Sequence, residues 1–319
     1  MDLLYLVLGL VILLLAGDSL VRGTVNLSLR LGIPALIVSL TIVAFGTSAP
    51  ELLIGVKAVL EDAPGIALGN VVGSNTANIL LVLGVPAMVS GLHTSRCDSS
   101  RTYLIMLAVT ALFIGLCFVG PILWWHGLIL LAVLSLVLAD AFITAKRFRD
   151  NGQAAAMEDV EVLEEADPEM PWWRIGIFIL LGLIGLPLGA DLLVDAAVNL
   201  AEDFGVSDTV IGLTLIALGT SLPELATTVM AAIRRQADVA LGNVIGSNIF
   251  NLIAIVGVAS LFGDIPVDPE FLRFDLWVMA GASLLIFPFV LMRRDITRIW
   301  GVVLTGLYLA YVYVLLTGV

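Results

Sequence analysis

Ten separate stretches of this chain are apolar for long enough to cross a bilayer, and that limits its fold more than any other feature. A helical span needs roughly 20 apolar residues to cross about 30 Å of hydrocarbon. Such segments run over 3–21, 33–58, 66–90, 103–119, 123–145, 174–196, 208–233, 238–262, 274–291 and 299–317. Of the 319 residues, 60% are hydrophobic and 13% charged, against roughly 45–50% and about 25% in a soluble domain. A net charge of −12 excludes a nucleic-acid binder. Two cysteines exclude a disulfide framework and a thiolate zinc cluster. The expected fold is an all-α polytopic membrane protein with ten transmembrane helices. The first span follows Met1-Asp2 with no basic leader or small-residue cleavage site, so it reads as a retained helix and not a signal peptide.

Short cytoplasmic loops collect Lys and Arg. With the N-terminus outside, the inward loops hold Arg22, Arg30, Arg96, Arg101, Lys146, Arg147, Arg149, Arg174, Arg234, Arg235, Arg293, Arg294 and Arg298, and the outward ones only Lys57 and Arg273. Losing one span would scramble that asymmetry, so it supports ten spans with both termini outside. The long polar stretch from Lys146 to Pro171 carries eight acidic residues against three basic ones. It reads as a solvated linker, which divides the chain into a half at 1–145, an acidic cytoplasmic linker at 146–173 and a half at 174–319.

The halves are related. Gly46-Thr47-Ser48-Ala49-Pro50-Glu51 matches Gly219-Thr220-Ser221-Leu222-Pro223-Glu224 at an offset of 173. The same offset places Gly69-Asn70-Val71-Val72-Gly73-Ser74-Asn75-Thr76-Ala77-Asn78 on Gly242-Asn243-Val244-Ile245-Gly246-Ser247-Asn248-Ile249-Phe250-Asn251. It also aligns Asp18 with Asp191, Gly32 with Gly205 and Gly84 with Gly257. Five spans per half is an odd number, so the second half crosses the membrane in the opposite sense. Inverted repeats of this kind are typical of secondary transporters, with the substrate near the midplane where the halves meet, on interrupted helices, although a duplication can also be purely architectural, as in some channels.

Glu51 and Glu224 fall well inside the second and seventh spans, where an ionisable side chain is by default a functional candidate. Brought together near a pseudo-two-fold axis, two carboxylates repel, and a cation between them relieves the conflict. Pro50 and Pro223 deprive the carbonyls of Gly46 and Gly219 of helical partners, and in lipid a freed carbonyl needs another group to satisfy it. Thr47, Ser48, Thr220 and Ser221 add hydroxyl oxygens. Ser74 with Asn78, and Ser247 with Asn251, stand at i and i+4 on one helical face. The Gly-x-x-x-Gly spacings at Gly69/Gly73 and Gly242/Gly246 read as close helix packing. Every donor in this set is oxygen, which suits Ca2+ and Na+ and not softer metals.

Together, the two repeated blocks resemble the α-repeats of the sodium/calcium exchangers, in the calcium:cation antiporter superfamily, and specifically the prokaryotic type with two such repeats. The resemblance covers essentially the whole chain. It implies a Ca2+ site of Glu51 and Glu224 with the carbonyls of Thr47 and Thr220. It implies Na+ sites that share the glutamates and draw on Ala44, Ser48, Ser74, Ala217, Ser221 and Ser247, with Asn78 and Asn251 completing the centre. It further implies sliding of the first and sixth spans, transported Ca2+ and Na+ in place of a cofactor, and residence in the cytoplasmic membrane of a prokaryote. Many members carry Asp where this chain has Asn251, which argues against K+ co-transport.

His93 and His126 lie near span ends, away from the acids, and no His-Glu-x-x-His occurs, so a zinc peptidase is unsupported. Cys97 and Cys117 bracket the fourth span, about 30 Å apart if helical, and cannot pair. Asp18 and Asp191 read as structural acids, with a capping or gating role as the alternative, and Trp124, Trp125, Trp172, Trp173 and Trp300 as an interfacial belt. The leading expectation is a Na+-driven Ca2+ antiporter, not an enzyme. An H+/Ca2+ antiporter using the same glutamates, and a cation channel, are the alternatives.

Overall fold

The computed structural model describes residues 2–150, 167, 169–203 and 217–317. Regular secondary structure in this range is helical apart from isolated β-bridges, with turns and short loops between the helices. Helix α1 (Asp2–Leu31) is followed by α2 (Ala35–Thr47), α3 (Ala49–Leu60), α4 (Pro64–Ser90), α5 (Ser100–Val119) and α6 (Trp124–Asp150). After the linker come α7 (Trp172–Asp203), α8 (Ala217–Gly219), α9 (Leu222–Ile233), α10 (Ala237–Ala259), α11 (Pro269–Val290) and α12 (Arg298–Thr317). Among the described residues eight helices are long and apolar enough to cross a membrane, and α2 with α3 makes a ninth if the bent pair is one span. The remaining expected span, 208–233, has its first part outside the described residues.

Several helices run past the edges read from hydropathy. The first continues from residue 21 to Leu31 because its polar residues are satisfied within it. Thr24 Oγ1 donates to the Leu20 carbonyl at 2.8 Å, Asn26 Nδ2 to that of Arg22 at 2.9 Å, and Ser28 Oγ to that of Val25 at 2.7 Å. Gly32 then ends the helix at φ 65°. The Ile33 N–H closes onto the Ser28 carbonyl at 3.0 Å and that of Gly32 onto Leu29 at 3.2 Å, a Schellman cap. The expected segment 274–291 begins earlier, at Pro269, and is interrupted at Phe274 and Ile286.

Polar and apolar side chains are sorted as a lipid solvent requires. The outer helices present Leu4, Leu136, Phe142, Leu181 and Val302 outward, while α10 is buried along its whole apolar length and carries Asn243, Ser247, Asn248 and Asn251 inside. Helix α1 lies along α7 in close backbone contact: a Cβ on Gly189 would sit 2.9 Å from the Leu13 nitrogen.

Local structure repeats in the register of the sequence blocks. Helices α3 and α9 span corresponding residues. The turns after them use Asp62 at φ 57° and Arg235 at φ 55°, each with the same pair of capping bonds. Loops from the two halves also pair: Leu92 bridges Ile296, and Ile265, the register counterpart of Leu92, bridges Ile122.

Candidate functional site

The break in the second span is the foundation of the site. Helix α2 widens into a π turn over Ser39–Val43 and stops at Thr47. Ser48 takes φ −86° and ψ 5°, and α3 sets off at 43° to α2. Pro50 therefore occupies the first turn of a new helix, where its missing N–H leaves no bond unmade, and does not kink a continuous one. Glu51 lies in that same first turn, where unpaired N–H groups favour negative charge. The second half repeats the device. Ser221 takes φ −87° and ψ 0°, and Pro223 and Glu224 lie in the first turn of α9.

Both carboxylates are 1% exposed. Glu224 Oε1 accepts from Ser48 Oγ at 3.3 Å and from Ser247 Oγ at 3.5 Å. One acid is thus held by hydroxyls from both repeats. Oε2 of each glutamate and the Ser221 hydroxyl are buried without a hydrogen-bond partner. The facing helices α4 and α10 each carry a π turn, at Asn78–Val82 and Asn251–Ile255, and such widened turns are frequent at functional sites. Asn78 Nδ2 donates to Asn248 Oδ1 at 3.0 Å. Oδ1 of Asn78 and both amide atoms of Asn251 are buried without a partner.

Other expected ligands are distributed as follows. Ala44 is fully buried, and its carbonyl accepts the Ser48 N–H at 3.0 Å and the Thr47 hydroxyl at 3.3 Å. Thr47 and Ser74 are buried, Ser74 one turn before Asn78, and Thr220 is half-buried beside Asn70. Ala217 opens α8, and its side chain lies outside the described residues.

Sequence reasoning left Asn70, Asn243, Asn75, Asn248 and Thr228 without roles. Thr47 Oγ1 donates to Asn243 Oδ1 at 3.3 Å, and Thr220 Oγ1 to Asn70 Oδ1 at 3.5 Å. Asn243 Nδ2 donates to the Glu224 carbonyl at 3.4 Å and to Thr228 Oγ1 at 3.2 Å. A signal for the asparagines was present, since both pairs recur at the repeat offset of 173. Thr228 has no counterpart, because Gly55 stands at the matching position.

The histidines and cysteines lie elsewhere. His93 Nδ1 meets Asp295 Oδ2 at 3.2 Å. His126 Nδ1 accepts the Leu123 N–H at 3.0 Å, and Cys97 and Cys117 are buried free thiols. Among the described residues no group of three or more His, Cys, Asp or Glu is arranged to hold a metal. The centre is two acids among neutral oxygens.

The family profile described as sodium/calcium exchanger protein matches residues 1–142 and 175–317. The sodium/calcium exchanger MaX1 of Methanosarcina acetivorans is 35% identical over 343 residues, covering 98% of this chain and 97% of that one. A solved structure of the sodium-calcium exchanger NCX_Mj, soaked with 2.5 mM Na+ and 1 mM Sr2+, superposes with a TM-score of 0.82 at 31% identity, covering 98% of this chain and 97% of that one. The Ca(2+)/H(+) antiporter ChaA of Bacillus subtilis is 26% identical over 256 residues, 75% of this chain and 72% of that one. This chain is an integral membrane protein of the sodium/calcium exchanger family, a family of cation/Ca2+ antiporters and not of enzymes.

Proposed function

We propose that the protein exchanges Na+ for Ca2+ by alternating access, with both ions bound between Glu51 and Glu224. The observation that carries this reading is the pair of buried acids in the first turns of two mid-span helices, each with a carboxylate oxygen that no protein group satisfies. A buried charge is costly unless paired, and a hard cation meets that need with oxygen ligands alone. The Thr47 and Thr220 carbonyls complete the Ca2+ site. Sites for Na+ use Ala44, Ser48, Ser74, Ala217, Ser221 and Ser247 with the shared glutamates, and Asn78 and Asn251 finish the centre. One Ca2+ neutralises two carboxylates, whereas three Na+ leave a net positive charge, so a 3:1 exchange responds to voltage at about 2.3 kcal/mol per charge per 100 mV.

The two halves are inverted repeats about this centre, with both termini outside and the acidic linker in the cytoplasm of a prokaryotic cell. The matching helix bounds, turns and breaks of α3 with α9 support the repeat relation. The likeness to ChaA keeps proton coupling as the second reading.

The deciding experiment is radiolabelled Ca2+ uptake into proteoliposomes loaded with Na+ and diluted into Na+-free buffer, beside a matched pH-gradient arm. Uptake driven only by the outward Na+ gradient, and lost in Glu51→Gln and Glu224→Gln, is the expected result. Uptake driven by protons alone moves the assignment to H+/Ca2+ antiport. Uptake that needs neither gradient indicates a channel.

A further inference from the structure

Across the boundary between halves, the two breaks are held by reciprocal contacts. Thr47 of the first half shares its one hydroxyl hydrogen between the Ala44 carbonyl at 3.3 Å and Asn243 of the second half at 3.3 Å, and Thr220 of the second donates to Asn70 of the first at 3.5 Å. Shifting either pair by 173 residues gives the other, so this is one interaction made twice. Asn243 is wholly buried. Its amide nitrogen also reaches the Glu224 backbone carbonyl at 3.4 Å and Thr228 Oγ1 at 3.2 Å. Thr228 is itself fully buried. One side chain thus ties the end of α2 to the first turn of α9, the two places where the spans are broken.

We infer that Asn243 and Asn70 are positioning residues, each fixing the threonine of the opposite half so that its carbonyl faces the ion. This rests on the site proposed above, but the asparagines are not placed among its ligands. They act through the backbone: a threonine whose hydroxyl is anchored cannot swing its peptide unit away from the centre. The Asn243 amide is well suited to this, because its oxygen and nitrogen take different partners at fixed separation; Asn70 makes the threonine contact alone, its Nδ2 being buried without a partner. The arrangement also makes each half's ion-binding backbone dependent on contact with the other half. Full ligand geometry exists only where the halves are engaged.

A double-mutant cycle tests this in proteoliposomes. Thr47→Val removes the hydroxyl while keeping side-chain shape and carbonyl. Asn243→Ala removes the other partner. Each single variant is expected to raise the Ca2+ concentration for half-maximal uptake about tenfold, in line with loss of a buried hydrogen bond. The double variant is expected to be no worse than the poorer single one, since both changes break the same contact. Thr47→Ser, which returns the hydroxyl, is expected to recover the affinity lost in Thr47→Val, and Thr220→Val with Asn70→Ala should repeat the pattern. Monodisperse elution and a cooperative melting transition of Thr47→Val, with at most the small shift expected from one lost hydrogen bond, separate positioning from misfolding. Additive effects, or a Thr47→Val protein with unchanged half-saturation, overturn the assignment. Full transport by Glu51→Gln and Glu224→Gln instead removes the underlying site, and with it any positioning role in transport.

Discussion

The contrast between two glycines shows how closely the halves fit. A Cβ on Gly246 would lie 2.6 Å from the Leu40 carbonyl oxygen and 2.6 Å from Ala44 Cβ, whereas one on Gly281 meets nothing within 4 Å. Gly246 therefore lets α10 lie directly against α2 beside the break, as the Gly-x-x-x-Gly spacing led us to expect, whereas the same spacing at Gly69 and Gly73 makes no close packing: a Cβ on Gly73 meets nothing within 4 Å and one on Gly69 only the Phe271 ring at 3.7 Å. Gly246→Ala is predicted to destabilise the protein by about 1–3 kcal/mol through overpacking and to slow Ca2+ uptake. Gly281→Ala should leave both intact or gain a little stability from helix propensity. Thermal unfolding in detergent beside uptake in proteoliposomes makes the comparison. Equal melting temperatures for Gly246→Ala and the wild type would show that α10 can shift without loss. At this scale the sequence was informative where chemistry is rare: a glutamate after a proline inside an apolar run has few explanations. It was silent on which asparagine meets which threonine, because that choice is made by tertiary packing and not by spacing.

Among the elements, apolar runs reveal that a span exists but not that it is broken. The π turns at Asn78–Val82 and Asn251–Ile255 leave the hydrophobic pattern intact, and the interruption at Ser48 was legible only as a proline one turn from trouble. The loop pairings were hidden for the same reason, since Leu92 and Ile296 lie far apart in sequence and carry no motif. The first of these pairings has a titratable clasp. Asp295 accepts the Ser95 N–H at 2.9 Å and meets His93 at 3.2 Å. Slight burial pushes its carboxyl up, but the Ser95 hydrogen bonds and His93 outweigh this and hold it below the usual range. A carboxylate whose folded pKa is depressed adds stability above its unfolded value, near 3.9, and loses it as pH falls through the folded value. Asp295→Ala should accordingly lower the melting temperature at pH 7, and the difference from wild type should shrink as pH drops below about 4. A difference that stays constant over that range would mean the carboxylate's charge is irrelevant to the loop.

For the whole molecule, the repeat is symmetric where ions are expected to bind and inverted in charge where the helices meet the solvent. Asp18 on α1 pairs with Arg22 at 2.8 Å and with Arg234, at the end of α9. These side chains are 16%, 27% and 20% exposed, which keeps the network partly out of solvent. The repeat register takes Asp18 to Asp191, Arg22 to Asp195 and Arg234 to Glu61, so the matching positions hold three acids that cannot pair with one another. One end of the α1–α7 pair is tied from helix to helix by opposite charges, whereas at the other Glu61 pairs with Lys57, four residues before it, at 3.8 Å. If α1 and α7 slide together during transport, this imbalance favours the arrangement in which the Asp18–Arg234 contact is closed. Each 1.4 kcal/mol the contact supplies changes the ratio of the two arrangements by about tenfold. Spin labels on α1 and at the end of α9 would report that ratio as a distance distribution. In Arg234→Ala the population with those ends close together is expected to fall, while Ca2+ binding at the proposed glutamate site should persist because neither carboxylate has been touched. An unchanged distribution would mean that α1 is held by its glycine-lined packing against α7 and α9, where a Cβ on Gly17 would sit 3.0 Å from the Ala226 carbonyl oxygen, and that the ion pair serves only to shelter Asp18 from lipid.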